Sequence, residues 1–186
     1  MNVREAVRRR RSVKRFTSRA VSRDEIEGLL ELAVLAPNHR MTQPWGFWVL
    51  GPETRRAYGR IKGERRAGKV EDPKAAEAVR RKTEVEMESL PALVAFTQRL
   101  DEDPEVREED FATVYMGMQS FLLGAMAVGL GTHVKTGRIL DEPETRRALG
   151  VEDDERIVAL VHLGEPEDIP DSKPRVPAAE RTRWLP

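Results

Sequence analysis

Residues 110–131 read DFATVYMGMQSFLLGAMAVGLG, and no charged side chain occurs between Phe111 and Leu130. The chain as a whole is 34% charged, so this stretch differs sharply from its surroundings. As a helix it spans about 30 Å, a length that also matches the hydrocarbon core of a bilayer. Gln119 and Ser120 at its centre favour a buried helix of a globular domain over a membrane span.

Apolar residues occupy every face of this predicted helix, so all of its faces need cover. A single chain of 186 residues has difficulty surrounding a helix of that length. We therefore predict that the helix contributes to the core of its own subunit and also packs against a second copy of the chain. A charge at Met118 or Leu122 is expected to give apo, aggregating or unfolded protein.

Composition limits the classes of protein to consider. The length and a hydrophobic content of 39% predict a single domain over residues 1–186. The 32 basic and 32 acidic residues cancel, which argues against nucleic acid or a membrane as a partner. There are no cysteines, and no histidine has another ligand at metal-binding spacing, so no metal site is expected. The basic N-terminus lacks a following apolar segment, so we expect no signal peptide and a cytoplasmic location.

Hydrophobic periodicity and turn residues predict alternating helices and strands. The capping box Ser22–Glu25 begins a second helix, which ends by Ala36 because Pro37 disfavours a helical conformation before it. Strands are predicted at 46–50, 90–97, 132–136 and 157–163. Four strands that alternate with helices around one long apolar helix indicate an α/β layered domain.

Two charged segments are predicted to lie outside this core. Residues 53–89 are helical by pattern, and we expect a mobile excursion on the surface. Their predicted interruptions are Gly63, Gly68 and Pro73. Residues 98–109 are expected to form an acidic connection. His162, within the last strand, is interpreted as a core or edge residue with its hydrogen bonds satisfied.

A basic run follows the first helix, with six cations in residues 8–15. One interpretation is a solvated helix end, where cations complement the helix dipole. The other is an anion clamp, in which arginine side chains bind phosphate in a bidentate manner and a serine hydroxyl adds a further bond. Composition does not choose between the two.

The segment from Ala36 to Trp45 holds two prolines around a short polar loop. The prolines stiffen it, which suits a loop that faces a ligand, although an ordinary helix-to-strand connection explains the same residues. The sequence contains no P-loop, HExxH motif or nucleophile elbow. Residues and spacing alone therefore indicate an α/β homodimer with a candidate anion clamp.

Four stretches, in this order along the chain, resemble the FMN-dependent nitroreductase family. They are Arg10-Arg11-Ser12-x-x-Arg15-Phe16; Ala36-Pro37-Asn38-His39-x-x-x-Gln43-Pro44-Trp45; Gly129-Leu130-Gly131 with Thr136-Gly137; and Ala148-Leu149-Gly150 with Ile157-Val158-Ala159 and Leu163-Gly164-Glu165-Pro166. The resemblance covers nearly the whole chain. The short length of the chain resembles the compact branch of this family. It implies a three-layer fold with a mixed, mainly antiparallel sheet, and an obligate homodimer with two FMN sites at its interface.

The resemblance also implies the residues that bind FMN. The phosphate and ribityl chain would contact Arg10, Arg11 and Ser12, joined by Lys173 and Arg175 from the tail. Either Lys14 or Arg15 would lie near the N1/O2 edge of the flavin. The other subunit would contribute Pro37, Asn38 and His39, which would contact the flavin ring. The ring would also be lined by Lys135, Thr136 and Gly137. No side chain is expected to be catalytic, because the flavin carries the chemistry.

This resemblance implies an NAD(P)H-dependent FMN oxidoreductase that reduces nitro compounds, quinones or similar small-molecule acceptors in a ping-pong cycle. The alternative is a flavin-binding carrier or sensor without turnover. Residues 165–186 form a polar, proline-rich tail that ends in Trp184-Leu185-Pro186. Because a free tail seldom carries a terminal tryptophan, we predict that the tail docks on the partner subunit. The sequence leaves the acceptor and the choice between NADH and NADPH open.

Overall fold

The computed structural model describes residues 1–186 and is built on a sheet of four strands. The strands are β1 (Trp45–Val49), β2 (Ala92–Arg99), β3 (Gly131–Lys135) and β4 (Glu155–Gly164). Their order in the sheet is β1-β2-β4-β3, and every pairing between them is antiparallel. All four predicted strands are therefore present.

The sheet differs in one respect from the mixed sheet that the resemblance implied. The sheet contains no parallel strand pair, and its parallel pairing is limited to one isolated bridge between Ser12 and Thr132. There the Val13 backbone N–H donates to the Thr132 carbonyl (2.9 Å). The extended segment after the first helix thus meets β3 at a single point and is too short to form a parallel strand.

Six helices connect and flank the strands. They are α1 (Val3–Arg9), α2 (Arg23–Ala33), α3 (Pro52–Ala67), α4 (Pro73–Glu88), α5 (Pro104–Ala127) and α6 (Pro143–Leu149). The predicted capping box is present at α2, where the Ser22 and Glu25 side chains each accept the other residue's backbone N–H (3.2 and 2.8 Å). α6 ends at Gly150, whose φ of 75° favours glycine.

The helices cover both faces of the sheet and produce the three predicted layers. On one face, α2 and α5 pack around Leu29, Phe96 and Phe121. On the other face, α3, α4 and α6 pack around a second cluster that contains Tyr58 and Met87. Successive residues of a strand point to opposite faces, so β4 contributes to both clusters. The α/β layered fold class is confirmed.

Residues 53–89 form this third layer, so the prediction of a mobile surface excursion is wrong. Tyr58 and Met87 are 3% and 0% exposed in the second cluster. Gly63 does not interrupt α3. A Cβ at that position would lie 3.2 Å from the backbone of Arg80, so glycine lets α3 and α4 approach closely. The charged side chains pair across the two helices.

α5 extends further toward the N-terminus than the uncharged stretch. It begins at Pro104, and the Asp103 side chain caps it by accepting the Glu105 N–H (2.8 Å). The prediction of an acidic connection over residues 98–109 is therefore wrong, because most of these charges belong to the first turns of a helix. None of the helices combines the length and apolar character that a membrane crossing requires.

The two sides of α5 differ in exposure. Met118 and Leu122 point into the core of their own subunit, whereas Tyr115 and Met116 on the other side are 38% and 42% exposed. A charge at Met118 or Leu122 would consequently disrupt the subunit core, so unfolding is still expected, but these two positions do not report on packing between subunits. The side that carries Tyr115 and Met116 is the one available to a partner.

Candidate functional site

The basic run begins where α1 ends. The Arg11 guanidinium donates to the carbonyls of Arg8 (2.7 Å) and Arg10 (2.9 Å) and so satisfies acceptors at the end of the helix. Part of the run therefore has the plain helix-capping role that the sequence allowed. Arg10 is free of such a role: its side chain makes no hydrogen bond or ion pair within the subunit.

The C-terminal tail returns to this basic run and forms a cleft of about 620 Å³ with it. The lining includes Arg10, Arg11 and Ser12 on one side, with Lys173 and Arg175 on the other. None of these cations takes part in an ion pair. Uncompensated cations that converge with a hydroxyl are suited to an anion such as a phosphate. The structure thus brings together, within one subunit, the five residues assigned to the phosphate by resemblance.

Lys14 and Arg15 have different surroundings. The Arg15 Nε lies 3.1 Å from Asp168 and 3.8 Å from Glu167, and hydrogen bonding to Asp168 raises the pKa of Arg15. Lys14 has no such ion pair. Burial is the main cause that lowers the pKa values of His133 and Lys135, and the charge of Lys14 lowers both further, so Lys14 lies toward these two residues. This geometry favours Lys14 as the cation that meets a bound ring.

A basic patch combines Lys62 of α3, His133 and Lys135 of β3, His162 of β4, and Lys14 of the segment after α1. The imidazoles of His133 and His162 lie 5.9 Å apart between ring centroids, on paired residues of the two strands. The Nε2 atom of His162 is buried and has no hydrogen-bond partner, so the expectation of a satisfied histidine is wrong. A buried polar atom without a protein partner calls for an explanation, and a bound water or a ligand would complete its bonding.

Burial controls the protonation of this basic patch. It lowers the pKa of Lys62 to about 8, with further lowering by Arg66. It lowers the pKa of His133 to about 4 and that of His162 to about 3, and the neighbouring lysines act in the same direction. Burial also lowers the pKa of Lys135. The basic patch therefore accommodates negative charge more readily than additional positive charge.

The loop of residues 36–45 lies against α5. Its backbone holds three non-glycine residues at positive φ: Arg40 (62°), Met41 (51°) and Gln43 (48°). The His39 Nδ1 lies 2.9 Å from a carboxylate oxygen of Glu109 in α5. Within one subunit, the loop contributes no residue to the cleft of the basic run.

Thr136 and Gly137 follow β3 directly. Gly137 has a φ of 123°, in a region that side chains disfavour, and it begins a short 3₁₀ turn at Arg138–Leu140. Lys135 is the last residue of β3, so it belongs both to this turn region and to the basic patch. The structure therefore brings together Lys14, Lys135 and Gly137, whereas it does not bring Pro37, Asn38 and His39 to them within one subunit.

The sequence matches the profile of the Nitroreductase family over residues 7–165. A Bacillus subtilis (strain 168) protein named "Putative NAD(P)H nitroreductase YfhC" is 32% identical over 179 residues, which cover 96% of this chain and 92% of that protein. The Escherichia coli (strain K12) protein "Putative NAD(P)H nitroreductase YdjA" is 24% identical over 184 residues, which cover 95% and 98%.

Solved structures share the fold. The crystal structure of a nitroreductase-like family protein from Bacillus cereus superposes with a TM-score of 0.86 and 27% identity, over 100% of this chain and 96% of that one. The FMN and NADPH-dependent nitroreductase NfnB superposes with a TM-score of 0.78 at 20% identity, over the full length of both chains. The three-layer architecture is thus that of nitroreductase structures. The chain belongs to the nitroreductase family, as the resemblance predicted.

The sequence alone did not identify three members of the basic patch: Lys62, His133 and His162. Lys62 lies in the segment that was predicted to be a mobile excursion. Because α3 was not expected to pack on the sheet, the sequence did not predict that Lys62 lies near the other members of the basic patch. One signal was available. A histidine in the centre of an apolar strand, as in IVALVHL, is costly to bury without a partner.

Proposed function

We propose that the protein is an NAD(P)H-dependent FMN oxidoreductase of nitroreductase type. The observation that carries this proposal is the cleft in which Arg10, Ser12, Lys173 and Arg175 converge without a compensating ion pair. Family membership supplies the class of reaction, and the cleft supplies a place for the phosphate of the cofactor.

The phosphate would be held by charge-assisted hydrogen bonds. Arg10 and Arg175 present guanidinium groups, Lys173 an ammonium group and Ser12 a hydroxyl donor. Asp171 is the only acidic residue of the cleft, so positive charge predominates. These residues fit a dianionic phosphate and leave Arg11 to complete the end of α1.

The ring of the cofactor would lie beside the basic patch, next to Thr136 and Gly137. FMN, when bound, would supply the hydride-transfer chemistry, and its reduced form would carry negative charge at the N1/O2 edge. Lys14, Lys62 and Lys135 would stabilise that charge. The chain then needs no acid or nucleophile of its own.

The complete site would require a second subunit. An apolar surface runs over Leu32, Leu35, Leu123 and Ala127 and continues onto the exposed side of α5. We propose that a second copy covers it, and that Pro37, Asn38 and His39 of that copy reach the flavin. The tail, with Trp184 92% exposed, would dock on the partner subunit.

For the reaction, we propose ping-pong transfer from NADH or NADPH to nitro compounds, quinones or similar small molecules in the cytoplasm. The names of the relatives support the donor: YfhC and YdjA are named for NAD(P)H, and NfnB is described as FMN and NADPH-dependent. The acceptor is proposed by class only.

An anaerobic titration tests the proposal. The purified protein is expected to be yellow, with one non-covalent FMN per subunit, and NADH or NADPH is expected to bleach the flavin absorbance. An acceptor panel under the same conditions should restore the colour. A protein that binds FMN but is bleached by neither nucleotide would be the carrier or sensor instead. A colourless protein that shows no spectral change on addition of FMN would contradict both functions.

A further inference from the structure

The loop of residues 37–43 is held in an unfavourable backbone conformation. Arg40, Met41 and Gln43 all have φ between 48° and 62°, a left-handed region that non-glycine residues seldom adopt. Such conformations persist only where surrounding contacts determine them, and they concentrate at functional sites. The contacts that hold this loop therefore indicate which residues determine its conformation.

Three hydrogen bonds converge on Thr42 and its neighbours. The Asn38 Nδ2 donates to the Thr42 hydroxyl (2.9 Å), and the Gln43 backbone N–H donates to the Asn38 Oδ1 (2.7 Å). The Thr42 hydroxyl in turn donates to the Asp110 carboxylate (2.5 Å). We call Asn38, Thr42 and Asp110 the loop latch.

Asp110 is a carboxylate at a buried position, where its desolvation lowers the stability of the fold. It lies on the buried side of α5, 3% exposed, and the Thr42 hydroxyl is its one side-chain hydrogen-bond partner. A buried carboxylate costs stability unless it is well bonded, and an apolar residue would suit a core position better. The carboxylate thus serves the loop rather than the helix.

Other contacts between the loop and α5 are weaker. His39 with Glu109 and Arg40 with Glu105 are pairs of largely exposed side chains, and exposed ion pairs contribute little. The loop latch is the more buried attachment, with Asp110 buried and Asn38 and Thr42 half-buried, so it should have the greatest influence on where the loop lies.

We propose that Asp110 and Thr42 are positioning residues that fix the loop, through Asn38, for contact with the flavin of the second subunit. This inference rests on the proposed function, in which Pro37, Asn38 and His39 meet that flavin. The flavin held by one subunit would then depend on a carboxylate buried in the other.

The test uses the full-length protein as purified and the substitution Thr42→Val, which removes the hydroxyl and keeps the shape. Thr42→Ser, which retains a hydroxyl, is the rescue variant, and Thr42→Ala replaces Thr42→Val if that variant does not fold. Thr145→Val is the matched control, because Thr145 is buried in α6 and its hydroxyl has no partner. Two quantities are measured: hydrogen exchange of the Gln43 amide, and the rate of FMN release on dilution, followed by flavin fluorescence.

In Thr42→Val we expect at least tenfold faster exchange at Gln43, at least tenfold faster FMN release and an altered visible circular dichroism of the flavin. Thr42→Ser and Thr145→Val should match the parent. Unchanged exchange at Gln43 would overturn the latch. Faster exchange with unchanged FMN release would overturn the positioning role while the proposed function stands. A parent protein without FMN would instead overturn the proposed function, and the flavin role of the latch with it.

Discussion

At the scale of single residues, the cations of the site divide into paired and unpaired groups. Arg15 is neutralised by Asp168 and Glu167, whereas Arg10, Lys173 and Arg175 face a shared cleft without a carboxylate partner. We expect the unpaired group to determine where an anion binds, because its charges would gain a partner only when the ligand arrives.

The first prediction concerns the phosphate. The double variant Arg10→Ala/Ser12→Ala should bind FMN roughly 10- to 100-fold more weakly, because a charge-assisted bond contributes about 1.5–3 kcal/mol and about 1.4 kcal/mol corresponds to a factor of ten. Fluorescence titration of flavin-free protein measures the affinity. Arg4→Ala, an exposed arginine of α1 outside the cleft, is the control and should bind as the parent does. Equal affinity in the double variant would remove these residues from the site.

The second prediction separates Lys14 from Arg15. Lys14→Met should lower the midpoint potential of the bound flavin, because a nearby cation stabilises the electron-rich ring. Arg15→Met should have a smaller effect, since Asp168 already neutralises that charge. Spectroscopic redox titration of both variants checks the order. A larger shift in Arg15→Met would reverse the assignment.

The third prediction follows from the buried histidine. The pKa of His162 is lowered to about 3 from an ordinary value of 6.5. Between these two values the unfolded chain binds a proton that the folded chain does not, so stability falls as pH falls through this window. His162→Gln should therefore lose less stability than the parent between pH 7 and pH 4.5. Urea unfolding at both pH values measures the difference, and an identical loss in the two proteins would show that His162 does not contribute.

At the scale of secondary-structure elements, the sequence predicted well where local signals and burial agree. The capping box of α2, the four strands and the contribution of the apolar helix to the core all follow from local patterns. Charged helices were harder to place. The residues of α3 and α4 suggested a solvated surface segment, yet small residues at Gly59 and Gly63 let the two helices pack and form ion pairs with each other.

Long-range contacts explain the rest of what the sequence missed in the site. Lys62 joins the basic patch only because α3 packs on the sheet, and Asp110 meets Thr42 only because the loop of residues 37–43 lies against α5. Neither contact can be predicted from the spacing of residues along the sequence. Conversely, Arg10, Ser12 and Arg175 were assigned from resemblance, and the structure brings them together in one cleft.

The fourth prediction concerns α5. Met116→Glu places a charge on the exposed side of the helix, so the subunit should keep its fold and lose its partner. We expect a monomer with native circular dichroism that no longer retains FMN through gel filtration. Val85→Glu, at an equally apolar and 62% exposed position of α4, is the control and should remain dimeric. A dimeric Met116→Glu variant with bound FMN would place the interface elsewhere.

At the scale of the whole molecule, two parts of the chain expose more apolar surface than an isolated subunit needs. One is the side of α5 with the adjoining Leu32 and Leu35, and the other is the tail with Trp184 and Leu185. Contiguous exposed apolar surface marks interaction sites. A second copy that covers both would also deliver the loop of residues 37–43 to a site otherwise made by the basic run and the tail.

The central claim is that FMN is held by a dimer and not by a single subunit. Analytical ultracentrifugation with simultaneous detection of protein and flavin absorbance tests this most directly. We expect all flavin to sediment with a dimer at one FMN per subunit, and dilution to release subunits and flavin together, because the ligand stabilises the state that binds it. A stable monomer that sediments with FMN bound would contradict the claim.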